Sequence, residues 1–170
     1  MIPSENVRKV PIYTIRQATE RDAATIAAQR IQMFRDNDLK TVGGWVALRR
    51  HSERWVADKM KAGVYVGWIV EGYVAAHKPQ ELPIVGGAGL WIMEWPPHYL
   101  HLGSSRGYLL NFYVAPEARR QGIARRLVDL AITECRNRKI RLAVLHASPM
   151  GRPVYESLGW HDSNEMTLQI

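Results

Sequence analysis

A strand–turn–helix segment in the second half of the chain constrains the fold most strongly. Tyr108–Val114 is an apolar run of aromatic and β-branched residues, which is typical of a strand. It is followed by a short loop and by Arg119-x-x-Gly122-x-Ala124, which leads directly into a long amphipathic helix. A strand that passes through a small-residue turn into a helix gathers unpaired backbone N–H groups where the helix dipole adds partial positive charge. The turn is therefore predicted to bind an anion, above all a pyrophosphate.

The turn differs from the two best-known phosphate-binding loops. It lacks the Lys-Ser/Thr of a Walker loop and the third glycine of a dinucleotide fingerprint. Gly122 would let the backbone approach a ligand closely, and Ala124 keeps the first helical turn slim. The pattern Arg/Gln-x-x-Gly-x-Gly/Ala after a strand instead resembles the pyrophosphate motif of the GNAT superfamily of acyl-CoA-dependent N-acetyltransferases. Ala147–Trp160 is similar to the closing part of that family, a short helix that carries a Tyr and ends in Leu-Gly-aromatic.

The predicted order of elements agrees with this resemblance. Hydrophobic periodicity and turn residues predict six strands: Ile12–Ala18, Val64–Val70, Ile84–Trp95 (with a bulge), Tyr108–Val114, Ile140–His146 and Glu165–Ile170. A first helix is predicted to follow a capping signal at Thr19-x-x-Asp22. Further helices are predicted over about Trp45–Lys61 and Gln121–Arg138, and over Arg152–Leu158. Glu71-Gly72 is predicted to be a turn. The fold class is α/β (α+β). The resemblance implies one domain over residues 1–170, with a central mixed, mostly antiparallel sheet flanked by helices.

The resemblance also implies acetyl-CoA as the cosubstrate and assigns its contacts. Backbone groups of Phe112, Tyr113 and Val114 would bond the pantetheine arm and the thioester carbonyl. The pyrophosphate would be surrounded, mostly through backbone N–H groups, by Arg119, Arg120, Gln121, Gly122, Ile123, Ala124 and Arg125. Ser148 stands where many members of the family carry Asn, so its contact to the pantetheine is open, although a hydroxyl could substitute.

In this family the amine attacks the thioester directly, and catalysis depends on positioning more than on a reactive nucleophile. Tyr155 matches the family's general acid near the thioester sulfur. Glu94, at the end of the long strand, is predicted to be the general base, with a surface carboxylate as the alternative. His98 and His101 are rival bases, whereas His146 is predicted to be structural or near the cofactor.

Other candidate chemistry receives less support from the sequence. His98-x-x-His101 has no third ligand spaced with it, so no metal site is predicted. Cys135 falls on the apolar face of its helix without an adjacent His, which excludes it as a nucleophile. Four tryptophans could line an acceptor pocket: Trp45, Trp55, Trp91 and Trp95.

Size and composition bound the class of protein. The 170 residues, 46% of them hydrophobic, suffice for one domain with a substantial core, and the mean hydropathy of −0.24 suits a globular chain. No apolar run reaches the length of a membrane span, and Met1–Val10 lacks the apolar region of a signal peptide. The single cysteine excludes an intrachain disulfide. These features predict a cytoplasmic protein that has no membrane partner.

The net charge of +7 is concentrated around the predicted anion site, because Arg106–Arg141 holds nine Lys/Arg and three Asp/Glu. A basic rim suits the phosphates of coenzyme A. It would equally suit a nucleic-acid-binding protein that uses the Arg-rich helix, although stacking aromatics and a known reader motif are missing. A catalytically inactive acyl-CoA-binding regulator is a further alternative.

The acceptor is predicted to be the amine of a small molecule or a peptide. The basic balance disfavours a strongly cationic acceptor. A homodimer is a possible assembly, since two-fold dimers are the commonest closed symmetry.

Overall fold

The computed structural model describes residues 13–72, 83–99 and 102–168. The strands are β1 (Tyr13–Gln17), β2 (Tyr65–Gly72), β3 (Ile84–Glu94), β4 (Ser105–Val114) and β5 (Ala143–Leu145). The helices are α1 (Ala23–Asp36), α2 (Trp45–Lys61), α3 (Ile123–Asn137) and α4 (Arg152–Glu156), with short 3-10 turns at Glu20–Asp22 and Pro116–Ala118.

The five strands form one sheet in the order β1-β2-β3-β4-β5. The first four strands pair antiparallel, and β5 pairs parallel to β4. The predicted fold class is confirmed: a mixed, mostly antiparallel sheet with helices on both faces. The bulge predicted in the third strand is present against β2, where Val85 is an extra residue between the pairs Val70–Gly86 and Glu71–Ile84. A second register shift, between β3 and β4, places an extra residue in β4 next to Asn111.

The two faces of the sheet have separate cores. One core packs the apolar stripe of α3, including Leu127 and Ala131, against Leu90 and Leu109 of the sheet. The other packs α1 and α2 against β2 through Ile26, Val56 and Ile69. Because successive strand residues point to opposite faces, Leu109 and Leu110 of β4 join different cores.

The capping residues before α1 and the glycine after α2 mark the ends of these helices, as predicted. Asp22 accepts a hydrogen bond from the Thr19 N–H (2.8 Å) where the chain turns into α1. The second helix has the predicted bounds and is followed by Gly63 at φ +70°.

Two predictions of secondary structure are wrong, and the strand predicted over Ile140–His146 is shorter in the structure, Ala143–Leu145. Glu71-Gly72 lies inside β2 rather than in a turn, because both residues pair with β1, and Glu71 pairs also with β3. Glu165–Leu168 forms no strand, although alternating Met166 and Leu168 suggested one; both of these side chains are exposed. Residues 12 and 169–170 of the predicted terminal strands lie outside the described residues.

Candidate functional site

The site begins with an opening between β4 and β5. These strands pair over only three residues, from Gly107 with Ala143 to Leu109 with Leu145. Beyond Leu109, β4 continues to Val114, and within the described part of the chain no strand pairs with it on the β5 side. The main chain of Phe112–Val114 therefore has N–H and C=O groups that face a gap, as a ligand-binding strand edge requires.

A buried polar network holds the bend that opens this gap. Asn111 has a left-handed backbone (φ +58°) and is only 3% exposed. Its amide Nδ2 donates to Tyr65 Oη (2.9 Å), and its Oδ1 accepts from Arg30 Nη1 (2.7 Å). Gly89 is required beneath it, because a Cβ there would lie 2.0 Å from Tyr65 Oη. Sequence analysis missed this network, whose members come from four separate elements.

The turn into α3 has the geometry expected of an anion site. Gly122 is the N-cap of α3 with φ +78°, and a Cβ built on it would meet no heavy atom of the described residues within 4 Å. Arg120 also has a positive φ, and the side chains of Arg120, Gln121 and Arg125 are exposed. The N–H groups of the first turn of α3, Ile123–Arg125, find no hydrogen-bond partner among the described residues.

Arg119 has a different position from the other residues of the motif. Its Nε donates to the carbonyl of Val114 (3.0 Å), and its Nη2 donates to Asp36 at the end of α1 (2.7 Å). The guanidinium thus ties the end of β4 to α1. The Arg119 side chain therefore stabilises the turn, and only its main chain is left to contact a ligand there.

Tyr155 and Ser148 lie beside the unpaired end of β4. The Tyr155 ring makes edge contacts with Phe112 (6.2 Å between centroids) and Trp160 (5.9 Å). Its hydroxyl makes no hydrogen bond to the described residues, and burial raises its pKa to about 12. Ser148 Oγ accepts from the Gly151 N–H (3.1 Å) at the start of α4, so it stabilises the turn that presents Tyr155.

The structure does not bring Glu94 to this site. Phe112 lies opposite β3 near Ala88, and Glu94 is six residues further along that strand, ~20 Å away. Glu94 is exposed and pairs in register with Ser105. Of its rivals, His98 stacks on Tyr99 (4.3 Å between centroids), and His101 lies outside the described residues.

A second cluster lies on the α1–α2 side of the same opening. Tyr108 Oη hydrogen-bonds His146 Nδ1, which joins β4 to the first residue after β5. Tyr108 also packs against Trp91 (6.3 Å), which packs against Trp55 (5.1 Å). Two of the four predicted pocket tryptophans, Trp55 and Trp91, are therefore in one aromatic cleft with Tyr108 and His146.

The other two tryptophans contact arginines instead. Arg35 lies over the Trp45 ring (5.3 Å to the centroid), and Arg106 lies over the Trp95 ring (3.4 Å). Arg106 also forms an ion pair with Glu165 (2.5 Å), which fixes the segment that was predicted as a final strand.

The described residues include one buried cysteine and no cluster of metal-binding side chains. Cys135 is 3% exposed against β4, and burial raises its pKa to about 11, so the thiolate needed for attack is disfavoured. Among residues 13–72, 83–99 and 102–168, no group of three His, Cys, Asp or Glu side chains could hold a metal ion. No described helix is both long and apolar enough to cross a membrane.

Comparison with known proteins identifies the family. A model of the acetyltransferase (GNAT) domain matches residues 98–169. The crystal structure of a GCN5-related N-acetyltransferase from Ralstonia eutropha JMP134 is 33% identical, with a TM-score of 0.81, over 93% of this chain and 98% of that one. The chain belongs to the GNAT acetyltransferase family.

More distant members share the fold. A predicted acetyltransferase with acetyl-CoA from Clostridium acetobutylicum is 24% identical, with a TM-score of 0.80, over 94% of this chain and 96% of that one. Glucosamine-6-phosphate N-acetyltransferase from Arabidopsis thaliana is 14% identical, with a TM-score of 0.63, over 93% and 97%. No curated protein sequence matches the chain significantly. The family assignment makes the protein an acyltransferase, as the strand–turn–helix motif predicted.

Proposed function

We propose that this GNAT protein transfers the acetyl group of acetyl-CoA to a small-molecule primary amine by direct attack on the thioester. The main support for the proposal is the opening between β4 and β5. An exposed turn with free N–H groups lies at one end of this opening, and Tyr155 lies beside the unpaired edge of β4. One GNAT domain over residues 1–170 would suffice for this reaction.

The cofactor would run along the unpaired edge of β4. Its pyrophosphate would bind the free N–H groups of the Gly122–Arg125 turn, with Arg120 and Arg125 supplying positive charge. The pantetheine arm would pair with the main chain of Phe112–Val114, as an added strand does. The thioester would then lie near the bend at Asn111, between Tyr155 and the aromatic cleft.

Tyr155 would stabilise the leaving sulfur. In the reaction a C–N bond forms, the C–S bond breaks, and the electron pair leaves on the CoA sulfur. With its pKa near 12, the phenol remains protonated at neutral pH and can donate a hydrogen bond to the thiolate. A thiol has a pKa of about 8.5, so the phenol supports the thiolate by this hydrogen bond more readily than by full proton transfer.

The proton of the amine would go to His146. In the tautomer that this role requires, the Nδ1–H of His146 donates to Tyr108 Oη, and the lone pair of Nε2 is free to accept the proton of the amine. The pair lies at the vertex where β4 and β5 separate, whereas Glu94 is three residues along β3 from Trp91, the partner of Tyr108, and so lies ~10 Å further from the opening. We therefore favour His146 over the sequence-based assignment of Glu94.

Thermal-shift titration tests the cofactor. A ligand at one hundred times its Kd stabilises the folded state by about 2.7 kcal/mol, which is readily measured. Acetyl-CoA and coenzyme A should stabilise the protein at low and moderate salt, while a short DNA duplex should not. A salt-sensitive shift with DNA alone would favour the nucleic-acid-binding alternative and overturn the proposal.

Turnover distinguishes an enzyme that uses amines from an inactive acyl-CoA-binding regulator. Release of free coenzyme A is followed with a thiol reagent over a panel of small amines, amino acids and peptides. Amine-dependent thiol release, with the acetylated amine found by mass spectrometry, supports the proposal. Cofactor binding without turnover on any amine would favour the regulator.

A further inference from the structure

Arg30 is a half-buried cation on the acceptor side of the site that has no carboxylate partner. It lies on α1, with its Nη1 bonded to Asn111 Oδ1 (2.7 Å) and its guanidinium over the Phe34 ring (4.6 Å). None of the ion pairs formed by the described residues includes it. Its Nε and Nη2 make no hydrogen bond in the same part of the chain, so several N–H donors remain available.

The nearest charged and titratable groups leave this cation uncompensated. Tyr65 and Tyr108 are the groups that interact electrostatically with Arg30, and both are neutral at neutral pH because burial raises their pKa values. Glu165, which lies near Tyr108, is paired with Arg106. Loss of hydration without a counter-ion is costly, so such an arginine is well suited to bind an anionic group.

Arg30 belongs to the same cleft as the proton acceptor. Tyr108 is near Arg30, hydrogen-bonds His146 and packs on Trp91. A small molecule bound beside Tyr108 can therefore place a carboxylate at Arg30 and an amine at His146, the two groups that a free amino acid carries. Trp91 and Trp55 would contact an apolar or aromatic side chain of the same molecule.

We infer that the acceptor is a free amino acid with an apolar or aromatic side chain, whose carboxylate binds Arg30 while its amine faces His146. The inference rests on the proposed function, since it names the substrate class of that site. A planar guanidinium matches a carboxylate through two parallel hydrogen bonds, which an amine without the carboxylate cannot form. The described part of the cleft offers no carboxylate that would favour a polycationic acceptor instead.

The experiment uses two matched pairs of acceptors: L-tryptophan with tryptamine, and L-phenylalanine with 2-phenylethylamine. Steady-state kcat/KM is measured for the wild type, Arg30→Gln, Arg30→Lys and the control Arg35→Gln, an exposed arginine five residues further along α1. The wild type should prefer each amino acid over its decarboxylated partner by at least about tenfold, as loss of a charge-assisted hydrogen bond predicts.

Arg30→Gln should abolish most of that preference, chiefly through KM, with Arg30→Lys restoring part of it and Arg35→Gln leaving it unchanged. A merely structural Arg30, which only holds Asn111, would lower kcat/KM equally for both members of a pair. That result would overturn the inference, and so would a wild type that prefers tryptamine or accepts neither amino acid. Acetyl-CoA binding and turnover on other amines, measured alongside, would show that the proposed function stands when the inference fails.

Discussion

The two sides of the β4–β5 opening are built in different ways. On the α3 side, the proposed cofactor turn is a contiguous segment, Arg119–Arg125, which offers backbone N–H groups and one left-handed glycine. On the α1–α2 side, the proposed acceptor cleft draws single side chains from separate elements: Arg30, Trp55, Trp91, Tyr108 and His146. A constant ligand can be bound by local backbone geometry, whereas a specific acceptor requires side chains that only the tertiary fold brings together.

The largest expected effect lies on the cofactor side, at Gly122. Gly122→Leu places a branched side chain where the backbone now faces open space, so it should block the approach of the pyrophosphate and weaken acetyl-CoA binding by about 100-fold or more. Isothermal titration with coenzyme A measures this effect.

Gly63→Leu is the matched control. Gly63 has φ +70°, a Cβ there meets no described atom within 4 Å, and it lies at the end of α2. Both variants share the cost of a left-handed non-glycine residue, roughly 1–2 kcal/mol, but only Gly122→Leu should lose cofactor affinity. Normal coenzyme A binding by a folded Gly122→Leu protein would contradict the assignment of the turn.

Tyr155→Phe should separate chemistry from binding. Removing the hydroxyl keeps the ring contacts with Phe112 and Trp160, so acetyl-CoA affinity should change little while kcat falls about 100-fold. Because its pKa is raised to about 12, Tyr155 should cause no loss of wild-type activity below about pH 11. Tyr99→Phe, at an exposed tyrosine, is the control; an unchanged kcat in Tyr155→Phe would remove Tyr155 from the mechanism.

His146→Gln tests the acceptor side of the comparison. With the imidazole gone, the amine must lose its proton to water, so kcat/KM should fall about tenfold near pH 7. The deficit should shrink as the pH approaches the ordinary pKa of an alkyl amine, about 10, because the amine then deprotonates without help. A pH–rate profile of kcat/KM for the wild type and His146→Gln measures this deficit. The same loss at every pH would mean that His146 only supports Tyr108, and a matching loss in Glu94→Gln would return the role to Glu94.

The comparison also explains how much could be predicted from the sequence. The helix bounds of α2, the apolar stripe of α3 and the Gly122 turn follow from periodicity and backbone conformation, which neighbouring residues determine. The Asn111 network could not be found this way, since Arg30 and Asn111 are 81 residues apart. The acidic Glu94 was chosen for its residue type at a strand end, and only the register of β3 on β4 shows its distance from Phe112.

The prediction of a strand at Glu165–Ile170 is wrong over the described residues, for a related reason. Met166 and Leu168 alternate as strand residues do, but alternation predicts a strand only where another strand offers a pairing edge. Over the described residues of this segment, Glu165 is instead held by the ion pair with Arg106, and the apolar side chains remain exposed. Tertiary context overrode the local pattern.

The smallest expected effect on catalysis lies at Asp22, which anchors α1 to the sheet. Asp22 is bound by Arg16 (2.8 Å) and by the Thr19 N–H, and these bonds lower the pKa of its carboxyl from 3.8 to about 2. A depressed pKa in the folded state stabilises the fold above pH ~4, and this contribution is lost as the pH falls towards 2. Since Arg16 is half exposed, we expect Asp22→Asn to cost about 1–2 kcal/mol at pH 7.

The melting temperature of Asp22→Asn should therefore fall by about 2–8 °C at pH 7, and the difference from the wild type should shrink as the pH falls through about 2. Asp58→Asn, at an exposed aspartate of α2, should change neither the melting temperature at pH 7 nor its dependence on pH. The contact of α1 with the cofactor turn, Asp36 with Arg119, is at the end of the helix, so destabilising its start should leave coenzyme A affinity intact below the melting transition. A loss of coenzyme A affinity in folded Asp22→Asn would show that the two sides of the opening are coupled, against the separation drawn between them.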